Sequence, residues 1–291
     1  MPADTSGRRA GDCTAAIALA GVWLLARRAP PSVPGSVTRI VHHRGRRADR
    51  DPRQSAAAVP ILMYHVVANP PAGAPFPGLY VPRVEFVAQM RALARAGYHA
   101  VTLDRVWNAW HGEARLPARP IVLSFDNGYR TQYTVARPVL QRLGWVGDEN
   151  LQLTGLPPLQ GGLGRAEVRA LVAAGWELDP QGFSHADLIR LDASQLWYQV
   201  AVARREIQRL FHVRASWFCY SSGHYNPTVI AAVKAAGYLG STTVVPGWAG
   251  PRDDPYRIPR LRVLRSTSPE ALLALIAAAR QAPPPPAAYP S

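Results

Sequence analysis

Apolar positions along the chain switch repeatedly between two periods. Val59–His65 (VPILMYH) is an unbroken apolar run of strand length, and residues 82–97 then place Phe86, Met90, Leu93 and Gly97 at helical spacing. Pro120–Phe125 (PIVLSF) reads as a second buried strand, followed by a helix around 131–143. Residues 165–175 form a helix ending at Gly175, and Trp176–Gln181 returns to strand. Asp192 with Gln195 three residues on is a capping-box pattern, and the helix behind it carries Leu196, Val200, Ala203, Ile207 and Leu210 on one face. Ser216–Tyr220 is a strand, 226–237 a helix ending at Gly237, and Ser241–Val245 and Leu261–Leu264 are further strands. Ser268-Pro269-Glu270 reads as a cap with proline at the first helical position. Strands alternating with helices predict an α/β fold with a parallel sheet, open or closed into a barrel.

The flanks lack this alternation. Arg8 and Arg9 precede the apolar run Cys13–Ala26, which is shorter than the ~20 residues of a membrane span. Residues 1–28 therefore read as a signal peptide or, because Arg27 and Arg28 follow directly, as a short membrane anchor. Residues 29–58 form a Pro/Arg-rich linker, 59–280 the folded domain, and 281–291 a Pro-rich tail. A secreted or membrane-anchored, extracytoplasmic domain is expected, and the N-terminal segment offers the anchoring route.

Composition narrows the partners. The chain of 291 residues carries a net charge of +14. Residues 1–53 hold ten Arg against Asp4, Asp12, Asp49 and Asp51, and so account for +6 of it. The folded part has no Lys/Arg run interleaved with aromatics, so no nucleic-acid partner is expected. Cys13 and Cys219 are the only cysteines, which excludes a disulfide framework.

In parallel α/β folds chemistry gathers at the carboxyl ends of the strands. His65 follows the first strand, Asp126-Asn127-Gly128-Tyr129 the second, Gln181 to His185 a third, and Ser221 to Asn226 a fourth. Together LMYH (62–65), SFDNGY (124–129), QGFSHADL (181–188) and FCYSSGHYN (218–226) resemble the successive motifs of polysaccharide deacetylases, the NodB-homology proteins of carbohydrate esterase family four. The resemblance covers roughly 59–265 and keeps motif order and spacing.

That resemblance implies a distorted (β/α) barrel and metal-assisted removal of acetyl groups from an acetylated polysaccharide or peptidoglycan-like glycan. It makes Asp126 the general base and puts the divalent metal ion, zinc or similar, at Asn127, Gln181 and His185. Asn127 stands where the family has a carboxylate and Gln181 where it has a histidine, so the metal site is weakened. Asp179, two residues before Gln181 on the strand, is a candidate replacement ligand. The family's C-terminal histidine acid is missing, since no histidine follows His224, and His224 and His65 are candidates for that role. Tyr129, Tyr220 and Tyr225 are the candidate sugar-binding aromatics. Two functions follow: glycan N-deacetylation, or glycan binding by a member that no longer hydrolyses.

Overall fold

The computed structural model describes residues 57–154 and 161–290. The expected leader, and the linker up to residue 56, lie outside the described residues. Strands β1 (Val59–Tyr64), β2 (His99–Ala100), β3 (Pro120–Asp126), β4 (Asp148–Leu151), β5 (Glu177–Pro180), β8 (Trp248–Ala249) and β9 (Leu261–Arg262) form one sheet. Its main path runs β5-β4-β3-β1-β8, with β2 on β3 and β9 on β1. All pairings except β1 with β8 are parallel. Every residue of β1 is buried, as expected for a central parallel strand covered on both faces.

A second, two-stranded parallel ladder joins β6 (Trp217–Cys219) to β7 (Gly240–Thr242). Among the described residues no ladder bonds join β5 to β6; instead the Trp217 amide donates to Asp179 Oδ1 at 2.8 Å. On the other side the Thr243 amide donates to the Ile258 carbonyl, just ahead of β9. The parallel α/β sheet expected from the sequence is thus present, with its ring of strands split into two ladders bridged by side chains and loops.

Helices α1 (Arg83–Arg95), α2 (Leu103–Trp110), α3 (Arg137–Gln141), α4 (Arg165–Ala173), α5 (Ala193–Trp197), α6 (Ala203–Phe211), α7 (Pro227–Ala235) and α8 (Pro269–Ala278) pack outside the strands. Their starts follow sequence chemistry. Asp192 and Gln195 exchange reciprocal side-chain to backbone bonds at 2.8 and 3.1 Å. Ser268 and Asn226 likewise accept from the third residue of their helices. The main core packs Tyr64, Phe86, Phe125 and Trp176 between the sheet and α1, α3, α4 and α8.

Two π-helical turns interrupt this regularity. Gln132–Ala136 precedes α3 and Tyr198–Val202 links α5 to α6. Such bulges recur at functional sites, and both here present a glutamine inward.

Residues 283–290 also belong to the fold. The amides of Tyr225 and Tyr289 each donate to the other's carbonyl, at 2.7 and 2.8 Å. The Tyr225 hydroxyl donates to the Pro286 carbonyl and Arg257 to that of Pro285. The Pro-rich tail expected to lie outside the domain is therefore laid along its surface.

Candidate functional site

The carboxyl ends of β1, β3 and β5 open into a cleft of about 520 Å³. His65, Asp126, Asn127, Tyr129, Gln181 and His185 line it, so one cavity gathers residues from three sequence motifs. Ser222, Gly223 and Arg262 form the facing wall, and Phe76 the rim.

The turn after β3 sets the floor. Asn127 and Gly128 both have positive φ, 79° and 80°. Glycine is favoured at the second position, where the positive φ strains any other residue and a Cβ would press on Leu151 Cδ1 at 2.5 Å. The two π-turn glutamines fasten the walls. Gln132 Nε2 donates to the carbonyls of His65 and Asp126, at 3.0 and 2.8 Å. Gln199 Oε1 accepts from the amides of Phe183 and Ser184, and its Nε2 donates to Ser184 Oγ.

Asp126 is 1% exposed and closely held. Its Oδ1 accepts from Arg260 Nη1 at 2.7 Å and Asn150 Nδ2 at 2.8 Å, and its Oδ2 accepts from Arg260 Nη2 at 2.9 Å. The Cys219 thiol lies 3.7 Å from Oδ2. Burial alone would raise the Asp126 pKa, but the Arg260 charge and hydrogen bonds outweigh it and hold the carboxyl below its usual range. Arg260 is itself 0% exposed and also donates to the Thr243 carbonyl and Ser124 Oγ. Arg260 lies outside all four sequence motifs. Its signal was a fixed cation just before an apolar strand, in a fold whose motif aspartate needs a counter-ion.

Both cleft histidines favour the neutral ring. Burial lowers the His65 pKa to about 4, against the opposing pull of Asp126 and with help from Arg260, Arg262 and His185. Burial likewise lowers that of His185, again opposed by Asp126. His65 Nδ1 is buried without a hydrogen-bond partner. His224 lies outside the cleft lining, with its Nδ1 2.9 Å from Asp187 Oδ1.

The donors at the implied metal position do not fit a tightly held zinc ion. Gln181 Oε1 is already engaged, accepting from the Asn127 amide at 2.8 Å. That leaves one imidazole and the neutral Asn127 amide, with no carboxylate supplied in place of the missing one. Among the described residues no group of three His, Cys, Asp or Glu side chains is placed to hold a metal.

Asp179 does not supply the missing charge. It is 2% exposed, accepts from the Trp217 amide, and faces Asp104, Asp148 and Glu177. Tyr220 and Tyr225 are both 0% exposed and stack on each other with centroids 4.9 Å apart, inside a core cluster. Of the three candidate sugar-binding tyrosines, the cleft contains Tyr129.

Comparison with known proteins agrees with this fold. Residues 113–240 match the family model described as polysaccharide deacetylase. YxkH of Bacillus subtilis, whose name places it among polysaccharide deacetylases, is 25% identical over 223 residues, 77% of each chain. A shorter stretch of 57 residues, 20% of this chain and 8% of the other, is 37% identical to the poly-beta-1,6-N-acetyl-D-glucosamine N-deacetylase of Escherichia coli. Among solved structures, Streptococcus pyogenes deacetylase PplD superposes with a TM-score of 0.69 at 22% identity, over 76% of this chain and 99% of PplD. A polysaccharide deacetylase from Bacillus cereus gives 0.67 at 23% identity, over 76% of this chain and 69% of the other.

Proposed function

We propose that this chain, which carries a polysaccharide deacetylase domain, takes an acetylated glycan into the cleft and hydrolyses N-acetyl groups on its amino sugars. The observation that carries this reading is the convergence of Asp126, His65 and His185 at the floor of one cleft at the carboxyl ends of the strands. The arginine-flanked apolar segment Cys13–Ala26 supports an extracytoplasmic setting, where envelope or extracellular glycans are the substrate.

Because the donor set does not fit a tightly held zinc ion, the chemistry is assigned to this chain's own side chains. A neutral imidazole can accept a proton from an attacking water. His185 and His65 are both neutral at pH 7, and the Asp126 charge stabilises whichever ring becomes cationic. Asp126 itself is a weak base, since Arg260 holds its proton affinity down. Turnover on such a site is slow.

One observation favours a second reading, glycan binding without hydrolysis. The backbone amide of Asn127 donates to Gln181 Oε1 and so occupies the oxygen that would otherwise face a metal, leaving the family's electrophile without a replacement.

The test is acetate release from an acetylated chito-oligosaccharide by the full chain, with chelator, with added zinc, and with His185→Ala. Expected is slow release that ignores chelator and drops at least tenfold in the variant, a loss typical of removing an acid–base group (~10²–10⁴-fold). Release abolished by chelator and restored by zinc would overturn the metal-independent assignment. Binding of the oligosaccharide with no release by any form would establish the second reading.

A further inference from the structure

The charges of the cleft do not cancel. Asp126 is matched by Arg260 directly behind it, with Nη1 donating to Oδ1 and Nη2 to Oδ2. Arg262 remains: it lines the cleft, is exposed, and has no ion-pair or hydrogen-bond partner among the described residues. No second carboxylate lies among the lining residues to answer it. Arg262 is thus the lining charge left without a partner.

Arg262 is also fixed in place. It ends β9, where Met63 of the central strand β1 is its register partner, and His65 lies two residues beyond Met63. The next residue, Val263, is 0% exposed, and its amide donates to the Met63 carbonyl at 3.0 Å. A guanidinium on an anchored strand end matches a carboxylate through two parallel N–H donors, whereas a neutral hydroxyl takes only one. The aromatic rim suits a sugar beside it: Phe76 is 67% exposed and Tyr129 faces the same space.

We propose that Arg262 is a carboxylate-binding residue and that the cleft selects acidic acetylated glycans, in which N-acetylated sugars alternate with or carry carboxylates, over neutral ones. The inference rests on the reading of this cleft as a glycan site and adds the chemical class of the glycan. A carboxylate could reach Arg262 from the glycan or as free acetate, the product of deacetylation, and the experiment separates the two.

The full chain and its Arg262→Gln variant are titrated calorimetrically with three probes: a hyaluronan oligosaccharide, which alternates N-acetylglucosamine with glucuronate; a chito-oligosaccharide of equal length; and sodium acetate. Expected is about tenfold tighter binding of the acidic oligosaccharide, the scale of a charge-assisted hydrogen bond converted to affinity. In Arg262→Gln that preference falls to within about twofold, while the neutral oligosaccharide binds as before. A thermal melt of the variant equal to the parent's shows that the fold is intact, as the exposure of Arg262 leads one to expect.

Equal binding of the two oligosaccharides, unchanged by the substitution, overturns the inference and leaves the glycan reading standing. Acetate binding that needs Arg262, with no preference between the oligosaccharides, overturns the glycan selectivity and assigns the carboxylate site to the product. Arg262-dependent acetate binding with neither oligosaccharide bound sinks the glycan reading and keeps the carboxylate site. Failure of all three probes sinks both.

Discussion

Two sets of carboxylates lie in the interior of this sheet and are treated in opposite ways. At the carboxyl end of β3, Asp126 is paired with the buried Arg260 and stays ionised. Further back, Asp148 on β4 and Glu177 and Asp179 on β5 stand in adjacent registers, with Asp104 of α2 beside them. No arginine or lysine forms an ion pair with these four among the described residues. Backbone amides serve them instead: Asp148 accepts from Leu103, Glu177 from Asp104 and Asp179 from Trp217. Burial and mutual repulsion raise the pKa of Asp148 and Glu177 well above the usual range, and burial raises that of Asp179 to about 8. A buried cation thus marks the place where a negative charge is kept for use. In the cation-free group Asp148, Glu177 and Asp179 hold their protons, and the group caps the start of α2 and joins β5 to β6.

The sharpest way to break the comparison is to remove the cation. Arg260→Met leaves Asp126 as a buried charge without a partner, and breaking such pairs costs ~3–5 kcal/mol. Urea unfolding at pH 7 should show a loss of that size. The double change Arg260→Met with Asp126→Asn removes both charges and should recover a large part of it. A loss under ~1 kcal/mol in the single variant would mean that Asp126 is neutral in the folded protein.

The second difference is in the sign of the pH dependence. The folded pKa of Asp126 is depressed, so its contribution to stability is present above the unfolded value near 4 and is lost as pH falls through the folded one. Those of Asp148, Glu177 and Asp179 are raised, so the folded state holds protons that the unfolded chain has released. Their effect is a loss of stability as pH rises above about 4, continuing through the folded values, with about 8 for Asp179. Each retained proton is worth up to ~1.4 kcal/mol per pH unit. The melting temperature should therefore fall between pH 5 and pH 8. Asp179→Asn should flatten that slope by removing one titrating group. A melting temperature that is level or rising over this range would show that the three carboxyls are ionised in the fold.

The same contrast explains what was legible in the sequence. β1 and β3 announce themselves as apolar runs because both their faces are covered. β4 reads Asp-Glu-Asn-Leu and is buried at all four positions, which no hydrophobic pattern predicts. Two of its polar side chains find partners distant in sequence, Asp148 in the Leu103 amide and Asn150 in Asp126. The strand period of two would put Asp179 on the same face as Gln181, yet it accepts from the Trp217 amide and does not line the cleft, and only the β5–β6 junction reveals that. The motif residues His65, Asp126, Asn127, Gln181 and His185 could be found because each follows a legible strand. Arg260 and Arg262 arrive from the end of the chain, and their relation to Asp126 and the cleft exists only in three dimensions.

The smallest effect concerns the segment that sequence composition places outside the domain. Proline-rich stretches cannot extend a ladder freely, because each proline removes a donor. Residues 283–290 accordingly use mainly carbonyls: those of Pro285, Pro286 and Tyr289 accept from Arg257, the Tyr225 hydroxyl and the Tyr225 amide. The Tyr289 amide adds a bond back to the Tyr225 carbonyl. Tyr225 follows the loop that brings Ser222 and Gly223 to the cleft wall, so the tail braces that wall from behind. Deleting residues 283–291 removes these bonds and uncovers Tyr225, at a cost of about 1–2 kcal/mol after exchange with water. For a domain of this size the melting temperature should drop by roughly 2–8 °C. Because the deleted segment lies apart from Asp148, Glu177 and Asp179, the alkaline slope should keep its steepness in the truncated chain. A truncated chain that melts with the parent would mean that the tail only rests on the surface. A lowered melting point with a flattened pH slope would mean that the brace reaches through the sheet to the proton-holding carboxylates.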